Sequence, residues 1–382
     1  MQQNAIEPHT RKKRKESLFK NFFIKGEYFD YVLLFVVFFL VCFGLVMVYS
    51  TSSYKAYLDL GDAAYYFKRQ LFFCMIGFVG MILISRVNYQ KWKKFSGLIY
   101  LVMLILQVAV LFLGSESHGA KRWIQIGPIG FQPSEFAKIG MILFLAHLIS
   151  SKANVIKKFG ELMKIYAVGG VIVVLIAVEN LSTAVVVLAI MIVMTFITSP
   201  KYKQFFLLGI AAVAVVALFI AKEGYRAERI AAWLDPEHHE KGYQTMQSLY
   251  AIGSGGIFGK GLGQSMQKLG FIPESHNDMI FSVICEELGL FGAICVIILF
   301  IILIWRCVII ADNAKDLYGS LIVIGVMTHI AVQVIINLAV VTNTMPNTGV
   351  PLPFISYGGS SMVFILVEMG VVLSVSRQIK LK

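Results

Sequence analysis

Ten uninterrupted apolar stretches constrain this chain more than any other feature. They run near 29–51, 69–85, 96–114, 136–150, 165–178, 181–199, 204–221, 280–305, 318–341 and 359–376, and most approach the ~20 residues a helix needs to cross a bilayer. In hydrocarbon every backbone N–H and C=O must be satisfied within the protein, so spanning segments are helices or strands of a closed barrel. Barrel strands alternate apolar and polar residues over ~10 positions. These runs are longer and continuously apolar, so no sheet signal competes in them. The expected fold is all-α, a polytopic integral membrane protein with ten transmembrane helices. At 58% hydrophobic and 15% charged residues, the chain carries more apolar surface than a water-soluble domain buries.

Basic residues orient the spans. With both termini in the cytoplasm, that side receives the RKKRK run at 11–15, Arg86 with Lys91, Lys93 and Lys94, the Lys152, Lys157, Lys158 and Lys164 group, Lys201 with Lys203, and Arg377, Lys380 and Lys382, as the positive-inside rule requires. The expected organisation is a basic cytoplasmic tail at 1–28, a membrane domain at 29–377 and a short cytoplasmic tail at 378–382. A long extracytoplasmic loop, 222–279, joins the seventh and eighth spans, and Glu223, Glu228, Asp235, Glu237, Glu240, Glu274 and Asp278 offset its Lys and Arg residues. No short apolar region with a small-residue cleavage site follows the basic run, so the first span reads as an anchor. The net charge of +12 is spread over cytoplasmic loops without aromatic interleaving, which suits anionic lipid headgroups rather than nucleic acid. The five cysteines fall in or at the ends of spans, odd in number and without CxxC spacing. Neither a disulfide framework nor a zinc site is indicated.

Polar chemistry gathers on the outer half of the membrane. The glycine cluster IGSGGIFGKGLGQS, 252–265, resembles a phosphate loop only superficially, because Ser254 and Gly261 stand where a Walker A motif needs Gly and Ser or Thr. It reads instead as a folded re-entrant or interfacial loop whose glycines allow close approach of backbone or of a ligand headgroup. Next comes PESHNDMIFSVICEELG, 273–289, in which four carboxylates surround an apolar run. Leu288 to Trp305 alone nearly spans the hydrocarbon at about 27 Å as helix, which leaves Glu286 and Glu287 at the outer boundary. Asp278, eight residues before Glu286, falls on the same side of a continued helix. Carboxylates at this depth are costly unless paired or functional.

Two other segments carry candidate partners. HGAKRWIQIGPIGFQPSEFAKIG, 118–140, supplies Arg122 and Trp123 in a loop, then Glu135 and Lys138 at i, i+3 on one helix face, where they form a local ion pair or serve a site. Trp123 is either an interfacial belt residue or part of that site. NTMPNTGVPLPFISYGGSSM, 343–362, has the prolines and glycines of a broken helix or re-entrant hairpin and offers the hydroxyls of Ser356, Ser360 and Ser361. Glu368, mid-span, needs a buried partner such as His329, Gln333 or Asn337.

The segments GAKRWIQIGPIGFQPSEFAK, AAWLDPEHHEKGYQTMQSLYAIGSGGIFGKGLG, PESHNDMIFSVICEELG and PLPFISYGGSS, in this order, resemble the SEDS (shape, elongation, division, sporulation) family of FtsW, RodA and SpoVE. The resemblance covers nearly the whole chain from about residue 30. It implies a peptidoglycan glycosyltransferase that polymerises lipid II into glycan strands on the outer face of the bacterial cytoplasmic membrane and releases undecaprenyl pyrophosphate. Within that family the basic N-terminal tail and the absence of long insertions lean toward the division type over the elongation or sporulation type. The resemblance maps the essential loop aspartate onto Asp278, as the base for the acceptor 4-hydroxyl. It maps polar cavity residues onto Arg122, Trp123, Glu135 and Lys138, with Ser356 and Ser360 in the PFISYGGSS segment as further substrate contacts. Arg122 and Lys138 are the expected holders of the pyrophosphate. No metal ligands are indicated, and the part of a divalent cation is left open. One departure is Asn277-Asp278-Met279, where the family commonly has Thr-Asp-Phe. The implied partners are a class B penicillin-binding protein, which is a transpeptidase, and other divisome proteins. A lipid II flippase and a non-catalytic scaffold are the rival readings.

Overall fold

The computed structural model describes residues 28–117, 120–127, 129–152, 159–199, 203–205, 208–210, 224–273 and 275–379. The basic tail at 1–27 and the last residues, 380–382, lie outside the described residues, as does the expected seventh span, 204–221, apart from 204–205 and 208–210.

Nine helices among the described residues are long and apolar enough to cross a membrane. They are α1 (Tyr31–Leu60), α2 (Tyr65–Ser85), α3 (Gln90–Leu113), α4 (Pro133–Ser151), α5 (Phe159–Glu179) and α6 (Leu181–Thr198), and beyond the long loop α9 (Ile280–Asp312), α10 (Leu317–Val341) and α11 (Gly359–Ser376). The loop itself carries α7 (Gly224–Leu234) and α8 (Tyr243–Ser254). The chain is thus a multi-pass membrane protein. The all-α expectation holds, with one small addition. The segment after α3 forms a small antiparallel sheet of β1 (Ser115–Ser117), β2 (Ala120–Ile126) and β3 (Ile129–Phe131), in the order β1-β2-β3. Its strands are too short to register as sheet in a hydropathy reading, and they supply Arg122, Trp123 and Gly130 to the wall of one cavity.

Helix boundaries follow local chemistry. Asp30 caps α1 by accepting from Leu33 N, Asn180 caps α6 by accepting from Thr183 N, Asp316 caps α10 by accepting from Gly319 N, and Pro133 opens α4. The three most enclosed spans are α4, α10 and α11, and they form the centre of the bundle. The others present apolar faces to lipid, as with Phe35, Val79, Leu98 and Ile301, where lipid replaces protein as the apolar partner.

Side-chain contacts show which segments share a membrane face. At one face Arg306 at the end of α9 grips Asp30 at 2.6 Å, Tyr89 reaches Asp316 at 3.2 Å, and Gln378 donates to Asn88 at 3.0 Å. The opposite face brings together the sheet, the starts of α4, α6 and α11, the long loop and the segment 342–358. Trp233 of α7 donates to Asn343 O at 3.0 Å and Ser248 of α8 to Val341 O at 3.1 Å, so the loop helices seat on the C-terminal end of α10.

The glycine cluster packs on α9. Gly289, at φ 66° and ψ −168°, breaks α9 in a backbone region open essentially to glycine alone. The break frees backbone groups at membrane depth, and the loop satisfies them. Lys260 N donates to Glu286 O and Gly261 N to Glu287 O, each at 2.9 Å, while Leu290 N donates to Gly256 O at 2.9 Å and Phe291 N to Ile257 O at 3.0 Å. A Cβ on Gly255 or Gly259 would overlap the backbone of Cys285 or Glu287. The 23 residues beyond the break reach about 34 Å as helix, enough to cross the bilayer.

Candidate functional site

Glu286 and Glu287, fully buried in α9, have structural partners. Glu286 accepts from Lys260 Nζ at 2.6 Å, from Ser265 Oγ, and from the Met266 and Gln267 N–H groups at 3.2 and 3.3 Å. Glu287 accepts from Ser50 Oγ of α1 at 2.7 Å and from Lys268 Nζ at 2.8 Å. These bonds satisfy the carboxylates and pin the loop to α1 and α9. Asp278 precedes the helix, since α9 begins only at Ile280, so helical spacing does not place it with Glu286.

Asp278, 6% exposed, instead opens on a cavity of about 830 Å³ at the face that carries the long loop. Main-chain contacts set its place. Asn337 Nδ2 donates to Asp278 O at 2.7 Å and to Val350 O at 2.9 Å. Ser356 Oγ donates to Asn277 O at 2.6 Å and accepts from Leu352 N at 2.8 Å, and Tyr357 N donates to His276 O at 2.9 Å. The rings of Tyr66, His276 and Tyr357 cluster beside this turn, with centroids 4.7 to 5.6 Å apart. Burial pushes the Tyr357 phenol up to about 12, so at neutral pH it remains protonated and able to donate. Gly349, at φ 69°, lies on the carboxylate side of Asp278, where an added Cβ would sit 3.9 Å from Oδ2.

Of the residues expected from sequence, Asp278, Arg122, Trp123, Glu135 and Ser360 line this one cavity. The Ser360 hydroxyl is buried and has no hydrogen-bond partner among the described residues. Arg122 is steadied from behind, where its Nε donates to Glu179 O at 3.0 Å. Lys138 and Ser356 are set back. Lys138, 2% exposed, pairs with Glu135 at 2.9 Å, and it lines with Ser356 a separate small cavity next to the large one. The i, i+3 geometry that allows the ion pair draws the ammonium inward behind the carboxylate. Ser356 spends its hydroxyl on the turn that carries Asp278.

Sequence reasoning missed Arg69 on α2 and Arg229 on α7, both in the cavity wall. Arg229 NH1 donates to Asn347 O at 3.3 Å. The available signal was charge placement, since both are arginines on the face that the positive-inside bias leaves poor in basic residues. Also missed were Gln333 and Asn180 in the wall. With three arginines against Glu135 and Asp278, the cavity suits a multiply charged anion, and Arg forks match phosphate oxygens. Among the described residues no group of three or more His, Cys, Asp or Glu gathers as a metal site.

The fold and cavity define a class, a polytopic membrane protein with a polar, arginine-lined chamber open to one membrane face. Residues 31–381 match the FtsW/RodA/SpoVE family, described as cell cycle protein. The chain is 39% identical over 354 residues to the stage V sporulation protein E of Bacillus subtilis (strain 168), covering 91% of this chain and 97% of that protein. It is 40% identical over 359 residues to the probable peptidoglycan glycosyltransferase FtsW of Trichlorobacter lovleyi, covering 92% and 94%. Among solved structures it superposes on the rod shape determining protein RodA of Thermus thermophilus with a TM-score of 0.68, 27% identity and coverage of 91% and 97%. It also superposes on a chain from a peptidoglycan synthase complex that coordinates polymerization and crosslinking, with a TM-score of 0.74, 28% identity and coverage of 91% and 98%. The chain belongs to the FtsW/RodA/SpoVE family.

Proposed function

We propose that the chain is a peptidoglycan glycosyltransferase of the division type, which polymerises lipid II at the outer face of the cytoplasmic membrane. The observation that carries this reading is the convergence of Asp278 and three arginines on one chamber of about 830 Å³, in a chain whose relatives include proteins named probable peptidoglycan glycosyltransferase. Asp278 takes the proton from the 4-hydroxyl of the acceptor's terminal sugar as that oxygen bonds to the donor's anomeric carbon. The bond to the undecaprenyl pyrophosphate breaks on the opposite side, with inversion. The pyrophosphate is stable as an anion, so the step needs a base and no general acid, unlike glycosidases with their two carboxylates.

Arg122, Arg69 and Arg229 hold the pyrophosphate, where fixed cations stabilise the charge it gains as it leaves. Glu135 and Ser360 offer hydrogen bonds to the sugars, and Trp123 offers an apolar face. Lys138 acts through Glu135, holding that carboxylate at the chamber wall through their 2.9 Å pair. Both termini lie in the cytoplasm, and a class B penicillin-binding protein crosslinks the product.

Incubating the purified protein with lipid II tests the reading. Glycan chains are expected. Movement of lipid II across liposomes without chains would make the protein a flippase, and neither activity, with transpeptidase binding intact, would make it a scaffold.

A further inference from the structure

Beneath the chamber lies a second cavity of about 20 Å³, lined in part by Glu135, Lys138, His329, Gln333, Ser356 and Ser361. A space above ~10–15 Å³ holds one water when two to four polar groups face it. His329 of α10 is 2% exposed. Its Nδ1 lies 2.7 Å from Glu368 Oε2 of α11, whereas its buried Nε2 has no hydrogen-bond partner among the described residues. Glu368 is fully buried. Neither residue takes part in the chemistry above, and a buried ionisable pair at this depth is expensive to keep. In the neutral imidazole, a proton on Nδ1 shared with the Glu368 carboxylate leaves Nε2 as an acceptor, and His329 lines the small cavity. Lys138 has three N–H donors, one of them directed at Glu135 at 2.9 Å.

We propose that the small cavity holds one water linking Lys138 Nζ to His329 Nε2, and that His329 and Glu368 are thereby positioning residues for the Lys138–Glu135 pair at the chamber wall. The chain of contacts runs Glu368, His329, water, Lys138, Glu135, and it crosses the three helices at the centre of the bundle, α11, α10 and α4. The inference rests on the reading of Lys138 given above. Each link fixes the next: Glu368 fixes the tautomer, the tautomer presents an acceptor, and the acceptor orients the ammonium that keeps Glu135 in place.

Glutamine places an amide atom near the position of Nε2, and asparagine places one near Nδ1. This contrast separates the water bridge from the Glu368 contact. The full-length protein and its H329L, H329Q, H329N and K138M variants are compared for kcat and KM on lipid II, with thermal melts alongside. K138M and H329L are expected to lose kcat by roughly ten- to a hundredfold, as a misplaced site residue does. H329Q is expected to recover most of the H329L loss, H329N to recover little, and KM to change less than kcat. Wild-type kcat in H329L, with K138M impaired, overturns the bridge and leaves the Lys138 reading standing. Wild-type kcat in K138M overturns both. Recovery by H329N in place of H329Q overturns the bridge and reduces His329 to a packing contact with Glu368. If H329L does not fold, the contrast between the glutamine and asparagine variants decides alone.

Discussion

Asp278 owes its position to its neighbours' side chains. Asn337 holds two carbonyls at once, those of Asp278 and Val350, so Asn337→Ala strips both of their donor. Each buried group left unsatisfied costs about 1–3 kcal/mol, and a base displaced by about 1 Å loses roughly a hundredfold in rate. Polymerisation by Asn337→Ala is expected to fall by that order while the protein still inserts in the membrane. Unchanged turnover would show that this bridge does not position the base. The Glu135–Lys138 pair calls for a double-mutant cycle. Either single neutral substitution leaves a buried charge unpaired, at about 3–5 kcal/mol, and the double substitution removes that penalty. The melting temperature is therefore expected to recover in Glu135→Gln/Lys138→Met while activity does not. Recovery of activity would take both residues out of the site. The sequence revealed these residues because an ionisable group in an apolar run has few bland explanations. It did not reveal how far from the chamber each one sits. Lys138 and Ser356 lie one layer behind, a distinction that depends on three-dimensional direction and leaves no trace in spacing.

At the scale of elements, the contact of the glycine loop with α9 is the feature most dependent on backbone. Gly259, at φ 78°, has the Glu287 backbone where a Cβ would go. An L-residue in the left-handed region costs about 1–2 kcal/mol before any clash is counted. Gly259→Ala is expected to lower both the melting temperature and the polymerisation rate. Gly97→Ala on α3, where a Cβ meets nothing within 4 Å, is expected to leave both near wild type. Equal behaviour of the two variants would dismiss the loop as a structural strut. The glycines' service to close approach was legible in the sequence. The element they approach was not, because the match is backbone to backbone and writes no side-chain pattern. The same gap explains the small sheet at 115–131 and the turn that carries Asp278 ahead of α9.

For the whole molecule, the membrane class and most span positions followed from hydropathy, because the bilayer imposes length and composition on every crossing segment. The chamber did not, since Arg69, Arg122 and Arg229 come from α2, β2 and α7, and only the assembled bundle brings them together. The loop that leads to Asp278 also seats on α10 through Trp233 and Ser248, which gives a partner docked on the loop a route to Asp278. Addition of the cognate class B penicillin-binding protein is expected to raise polymerisation, with substitutions in 225–245 reducing the stimulation more than the basal rate. Equal rates with and without the verified complex, at saturating lipid II, would make the loop a static lid. The central claim is that Asp278 is the base of a glycosyl transfer, and the rate of glycan chain formation by purified wild type beside Asp278→Asn tests it most directly. The asparagine keeps size and removes basicity, so the variant is expected to insert normally and lose the 10²–10⁴-fold that a general base contributes. Retention of more than about a tenth of the wild-type rate, well short of that loss, would contradict the account.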